Sequence, residues 1–199
     1  MKLAQTPDCL LCGQLDGGHH SLSVCPHLRG LYTERHNAAR RLVLRYIAKG
    51  SRGGNVVAHD FGKPKNAPRD PGCPPLPRAM PGASDTGSRP DLVMVSGRRS
   101  TPAARRRVDI LELKYCRDTD PSAQMARAET QHAHFVDRLL RQGYRRHNVH
   151  YHTIALGVGG TIYKSMYPVL GALGVKKTTA YRLASKLHYL AAQYAEVIM

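Results

Sequence analysis

The feature that most constrains this chain is a pair of short apolar runs, residues 92–95 and 108–113, separated by a basic segment. Their length and their content of valine, isoleucine and leucine predict the two strands of a β-hairpin. Folding the hairpin midway through the segment places Asp91, at the entrance of the first strand, opposite Glu112 or Leu113. Two carboxylates then converge at one end of the hairpin.

Strand periodicity orders the charged residues further. Alternate residues of a strand share a face, so Glu112 and Lys114 point the same way. The same pairing puts Asp109 opposite Val95, on the other face from Glu112, which makes it the weaker partner for Asp91.

The combination Asp91, Glu112 and Lys114 is typical of metal-dependent phosphodiester hydrolysis. Carboxylates hold a divalent cation that lowers the pKa of an attacking water, and a nearby ammonium stabilises the developing charge. We therefore predict a Mg²⁺ or Mn²⁺ site on Asp91 and Glu112, with Asp109 as a further candidate ligand and Lys114 as the catalytic ammonium.

A second metal site is predicted near the amino terminus. Its four ligands have the spacing of a tetrahedral zinc knuckle: Cys9, Cys12, His20 and Cys25. His19 and His27 are alternatives to His20. Four protein ligands leave no open position, so this zinc either holds a small lobe together or helps that lobe contact nucleic acid.

Charge indicates a polyanionic partner. The chain has a formal net charge of +16, from 30 lysines and arginines against 14 acidic residues. It contains no apolar run of membrane-spanning length, so we expect no membrane partner. Cysteine usage is that of a metal site in a reducing compartment, which is the nucleus or the cytoplasm, and of these we expect the nucleus. The predicted DNA-binding residues are Arg35, Arg98, Arg99, Arg105, Arg106 and Arg107.

The remaining segments predict a mixed α/β domain. Residues 31–49 have helical periodicity, and 50–88 read as a flexible linker rich in glycine and proline. A helix is predicted from 122 to 143 and a strand over 149–158. Two helices are expected in 162–199, joined near Gly174 and Lys176.

Several segments carry a resemblance to a nuclease superfamily: the spacing Cys9 to Cys25, Arg35-His36-Asn37, Arg89-Pro90-Asp91, the run from Lys114 to Thr119, and Gln131-His132. The chain resembles the PD-(D/E)xK superfamily, which includes restriction enzymes and archaeal Holliday-junction resolvases. More narrowly, it resembles the restriction-like endonuclease at the carboxyl end of site-specific non-LTR retrotransposon proteins.

The resemblance implies a mixed sheet flanked by helices in an αβββαβ order, of which one strand is unassigned. It also implies a zinc knuckle over 1–29 and the endonuclease domain over 30–199. Retrotransposon relatives often carry an aspartate near where Asp109 stands, whereas resolvases carry a Glu-x-Lys matching Glu112 and Lys114; we favour Glu112.

Further site residues follow from the resemblance. It implies catalytic roles for His36 and Gln131, and a helix-borne metal ligand at Glu34.

The implied activity is metal-dependent nicking of double-stranded DNA to prime reverse transcription. Retroelement RNA and a reverse transcriptase domain or subunit are the further partners it suggests. The alternative hypothesis is a non-catalytic, zinc-containing nucleic-acid-binding module from a truncated or decayed retroelement.

Overall fold

A computed structural model describes residues 8–16, 19–50, 56–59, 90–96 and 101–198. The strands are β1 (Val56–His59), β2 (Leu92–Ser96), β3 (Arg107–Cys116) and β4 (Val149–Gly157). The helices are α1 (His20–Ser23), α2 (Arg29–Gly50), α3 (Ser122–Gln131), α4 (Ala133–Arg141), α5 (Met166–Ala172) and α6 (Lys177–Ile198). Short 3-10 turns lie at Pro26–Leu28, Ala103–Arg105 and Arg146–Asn148.

The four strands form one mixed sheet in the order β1-β2-β3-β4. Strands β1, β2 and β3 are antiparallel neighbours, while β4 runs parallel to β3. The predicted mixed α/β class is confirmed, and so are the hairpin, the strand β4 and the two carboxyl-terminal helices.

The hairpin register brings the carboxylates together as predicted. Leu92 pairs with Leu111, so Asp91, one residue earlier, stands beside Glu112. Asp109 pairs with Met94 and not with Val95, so that part of the prediction is wrong by one residue. The observed pairs are symmetric about the position between Thr101 and Pro102. A hairpin centred on Pro102 itself would have paired Asp109 with Val95.

Strand β1 corrects the predicted linker over 50–88. The short run Val56–His59 pairs antiparallel with β2, joining Val56 to Val95 and His59 to Leu92. The backbone of this segment can form hydrogen bonds with the N–H and C=O groups at the edge of β2 that would otherwise be unpaired. The free energy gained from these hydrogen bonds offsets the entropy cost of ordering four residues. The rest of the predicted linker, 51–55 and 60–88, lies outside the described residues.

The sheet buries both faces. One face packs against α2, α5 and α6 through a core that includes Leu111, Leu113 and Leu183. The other packs against α4 through Ile110 and Leu139. Because β3 alternates between these cores, both of its faces are covered, and Glu112 and Lys114 lie on the α4 side.

The predicted helix over 122–143 is divided. Helix α3 ends at Gln131 and α4 begins at Ala133, because His132 leaves helical geometry with φ −114° and ψ 20°. The buried His132 side chain is held by Glu112, with 2.9 Å between His132 Nε2 and Glu112 Oε2. This contact with the sheet favours the break.

Among the helices that the structure describes, none combines the length and the apolar composition needed to cross a membrane.

A tight turn follows β4. The carboxylate of Asp118 accepts hydrogen bonds from the backbone N–H groups of Gly159 (2.8 Å) and Thr161 (2.9 Å). A Cβ atom on Gly157 would lie 2.0 Å from Asp118 Oδ1 and 2.8 Å from Thr161 Cβ. The close approach of these groups therefore requires glycine at 157.

We predict that Gly157→Ala lowers the free energy of unfolding by about 1–3 kcal/mol, because the new methyl displaces Asp118 from its two backbone donors. Gly171→Ala is the matched control, since a Cβ there meets nothing within 4 Å. That helical substitution should be neutral or stabilise by up to about 1 kcal/mol. Chemical denaturation of both variants measures the difference, and equal stabilities would contradict the account.

Candidate active site and metal centre

Asp91 and Glu112 meet at the end of the β2–β3 hairpin. The backbone N–H of Asp91 donates to Glu112 Oε2 at 3.3 Å, and that of Leu113 donates to Asp91 Oδ2 at 2.8 Å. Both carboxylate residues are buried, with 6% and 4% of their surface exposed. Hydrogen bonds across the hairpin therefore hold two acidic side chains in a largely water-excluded position.

Helix α2 supplies the next contacts of Asp91. His36 Nε2 lies 2.7 Å from Asp91 Oδ1, and Arg40 Nη1 lies 3.9 Å from the same oxygen. His36 and Arg40 are four residues apart and so share one helix face. The sequence-predicted His36 is thus brought to the carboxylates.

Lys114 and His132 contact Glu112. Lys114 Nζ lies 2.7 Å from Glu112 Oε1, and His132 Nε2 lies 2.9 Å from Glu112 Oε2. Burial by itself raises the pKa of Glu112, but the hydrogen bonds from His132 and Lys114 outweigh it and hold that pKa below its ordinary value. Glu112 is therefore a carboxylate at neutral pH.

Gln131 is also brought to the site. Its side-chain oxygen accepts a hydrogen bond from Lys114 Nζ, so the ammonium is held between Gln131 and Glu112. The Lys114 side chain keeps 20% of its surface exposed. A buried pair of carboxylates with an ammonium that still reaches solvent can hold a cation and present a positive charge to an anionic ligand.

Two of these residues were not predicted as site residues. They are Arg40 and His132. The His132 side chain is completely buried and contacts the charged Glu112. The signal that could have found it is a histidine within an apolar stripe, since an imidazole in a core needs a hydrogen-bond partner.

Asp109 lies away from this group. It is buried on the opposite sheet face, where Arg107 donates to both of its oxygens at 2.7 and 2.8 Å. His152 Nε2 lies 2.9 Å from Asp109 Oδ1. The structure therefore brings Asp91 and Glu112 together and leaves Asp109 in an ion pair of its own.

The Asp109 ion pair should make stability depend on pH. Burial raises the pKa of Asp109, but hydrogen bonds from His152 and Arg107 outweigh it, and the pKa lies below the ordinary value of 3.8. A carboxylate with a depressed folded-state pKa stabilises the protein above its unfolded pKa and loses that contribution as the pH falls. We predict that unfolding free energy falls more steeply below about pH 4 in the wild type than in Asp109→Asn. Parallel pH curves from denaturant titrations would contradict this.

The predicted DNA-binding arginines lie in different environments. Arg35 is buried, donating from Nη2 to the Leu22 carbonyl at 2.9 Å while its guanidinium lies 4.2 Å from the Tyr115 ring centroid. These contacts give it a structural role and leave 2% of its surface exposed. The reason is that it lies on the face of α2 that packs against the sheet and the amino-terminal lobe.

The hairpin loop retains part of the predicted basic surface. Arg105 is exposed, while Arg106 Nε donates to the Thr101 carbonyl at 2.6 Å. Arg107 pairs with Asp109 and also lies about 17 Å from Glu112 along β3. Arg98 and Arg99 lie outside the described residues.

Glu34, the helix-borne ligand suggested by the resemblance, is exposed on α2. It lies two residues before His36, which contacts Asp91.

The amino-terminal cluster brings the four predicted zinc ligands together. One ligand atom from each of four residues lies within 4.8 Å of the others: Cys9, Cys12, His20 and Cys25. These residues could hold a metal ion such as zinc. A hydrogen bond from the backbone of Leu11, more than any other contact, lowers the pKa of Cys9 to about 6, which favours the metal-binding thiolate.

The structure selects among the three candidate histidines. His20 Nε2 lies 2.9 Å from Cys12 Sγ, whereas the His19 ring contacts Ser23 Oγ at 2.5 Å. His27 is exposed in the following 3-10 turn. His20 is therefore the ligand candidate of the cluster.

We predict that the purified chain carries zinc, that His20→Ala loses it and that His19→Ala retains it. Cys25→Ser should lose it as well, whereas Cys116→Ser, at a buried cysteine far along the chain, should not. Elemental analysis after gel filtration measures the metal content. Equal zinc in the His19→Ala and His20→Ala proteins would contradict the assignment.

No protein-family model matches the chain, and no curated protein matches it.

Proposed function

We propose that this chain is a divalent-metal-dependent DNA endonuclease that nicks its target by phosphodiester hydrolysis. The observation that carries the proposal is the convergence of Asp91, Glu112 and Lys114 at one end of the hairpin. Few structural roles require two buried carboxylates to lie side by side, because their mutual repulsion must be offset by other groups.

The donor set fits magnesium. Mg²⁺ is commonly bound through one or two carboxylates, with water and substrate phosphate completing its octahedron. Glu112 Oε2 contacts two protein donors, but Glu112 Oε1 and both oxygens of Asp91 each make one described hydrogen bond and have a second lone pair that can accept a further ligand. When bound, Mg²⁺ or Mn²⁺ supplies Lewis acidity toward the phosphate and toward water.

The other side chains have complementary roles. Lys114 offers positive charge to the pentavalent phosphate, and Gln131 fixes its position. His132 orients Glu112 through Oε2, while His36 and Arg40 do the same for Asp91 through Oδ1. His36 keeps 30% of its side chain exposed, so it can also contact the substrate phosphate.

Double-stranded DNA is the proposed substrate because the net charge of +16 suits a polyanion. The order of helices and strands is compatible with a restriction-endonuclease-like fold of the PD-(D/E)xK type. We extend the proposal to a nuclear enzyme of a non-LTR retrotransposon whose nick primes reverse transcription, acting with retroelement RNA and a reverse transcriptase domain or subunit. The zinc lobe would then help to place the nucleic acid.

One observation favours the second candidate, a non-catalytic nucleic-acid-binding module. All four carboxylate oxygens of Asp91 and Glu112 are occupied by protein donors, as they would be in a purely structural polar network. Such a module would bind DNA with strong salt dependence and leave it intact.

Nicking of supercoiled plasmid separates the two candidates. We predict relaxation of the plasmid in Mg²⁺ or Mn²⁺, lost when the divalent metal is omitted and reduced about a hundredfold or more in Asp91→Ala and in Lys114→Met. DNA affinity should change little in these variants, because phosphate contacts elsewhere supply it.

Asp109→Asn is the matched acidic control. Asp109 lies in β3 like Glu112 and is buried to the same degree, but its side chain lies on the opposite face of the sheet. Nicking per folded molecule should persist in this variant. Equal activity in Asp91→Ala and the wild type would eliminate the site, and binding without nicking by the wild type would establish the non-catalytic module.

A further inference from the structure

A long segment within the carboxyl-terminal third of the chain is basic and contains no acidic residue. From Arg138 to Ala195 the sequence contains nine lysines and arginines and no aspartate or glutamate. Five of these cations lie after β4, around α5 and α6: Lys164, Lys176, Lys177, Arg182 and Lys186. Nothing in the proposed active site uses them.

Helix α6 combines these cations with exposed aromatic rings. Its buried stripe, which includes Leu183 and Leu187, packs toward α2 and the sheet. Away from this stripe Arg182 is exposed, and so are Tyr181 (50%) and Tyr189 (68%). Lys186 is exposed at the border with α2, where its Nζ lies 6.0 Å from the centroid of the Tyr46 ring. One side of the Tyr181 ring packs on Tyr167, with 4.9 Å between the ring centroids. The two tyrosines are eight residues apart, which separates them by about 12 Å along the helix axis and by less than a quarter of a turn around it.

The charges on this face destabilise the isolated helix. Arg182 and Lys186 are four residues apart, a spacing at which like charges repel. Lys177 begins the helix, where the macrodipole disfavours a cation, and the first turn contains no acidic residue. A bound polyanion would relieve each of these unfavourable interactions.

The exposed tyrosines indicate which kind of polyanion this face would bind. Duplex DNA presents phosphates and groove edges, whereas an unpaired strand also presents base faces that stack on aromatic rings. Helix α6 packs on the sheet face opposite to that of Glu112 and Lys114. A strand on its outer side would therefore be separate from the duplex at the carboxylates.

We propose that the outer face of α6, defined by Tyr181, Arg182, Lys186 and Tyr189, binds single-stranded nucleic acid. The cations contact phosphates and the tyrosines stack on unpaired bases. This inference does not rest on the proposed nuclease activity, because it uses no residue of that site.

Fluorescence anisotropy of the full chain tests the proposal. The probes are a labelled thymidine DNA oligonucleotide, a uridine RNA oligonucleotide of the same length and a duplex of the same length, without added divalent metal. Tyr189→Ala should weaken single-strand binding at least about fivefold and leave duplex binding unchanged, and Tyr189→Phe should retain wild-type affinity. Tighter binding of the DNA or of the RNA oligonucleotide shows which type of single strand this face binds.

A charge-matched pair of double variants separates a specific surface from diffuse attraction. Arg182→Gln with Lys186→Gln should weaken single-strand binding several times more than Arg141→Gln with Arg145→Gln, which removes the same charge from exposed positions at and just after the end of α4. Equal losses in the two double variants would overturn the proposal, and so would unchanged single-strand affinity in Tyr189→Ala. Because all four sites are exposed, these variants should fold.

Discussion

Hydrogen bonds across the β2–β3 hairpin join Asp91 to Glu112, and the candidate site depends on them. The backbone of Leu113 fixes one oxygen of Asp91, while the backbone of Asp91 contacts Glu112. A shift of one residue in this register would carry Glu112 to the opposite face. The strand pairing therefore determines whether two buried carboxylates meet, and the surrounding cations compensate the repulsion that results.

Helix α2 connects this site to the amino-terminal lobe. The hydroxyl of Tyr32 donates to the Ser21 carbonyl at 2.7 Å, and Arg35 reaches the Leu22 carbonyl of the same lobe. The next residue, His36, contacts Asp91. A metal ion that orders the lobe would therefore also order the start of α2, and through it the position of His36. The lobe has a structural connection to the site as well as any contact with nucleic acid.

Much of this arrangement could be predicted from local patterns. The short length and the valine, isoleucine and leucine content of two runs were sufficient for the hairpin, and folding it midway was sufficient for the convergence of Asp91 and Glu112. Tertiary contacts decided the rest. Val56–His59 is too short to be recognised as a strand without the open edge of β2, and the break at His132 arises from Glu112, twenty residues earlier. Arg35 looked like a surface cation because sequence does not reveal which helix face meets the lobe.

The central claim is that Asp91 and Glu112 together hold a divalent metal ion, and Mn²⁺ binding followed by electron paramagnetic resonance tests it most directly. The zinc-loaded chain should bind Mn²⁺ in the presence of DNA, and Glu112→Gln should lose that binding while Asp109→Asn keeps it. Retention of the same Mn²⁺ signal in Glu112→Gln, or its loss only in Asp109→Asn, would contradict the account.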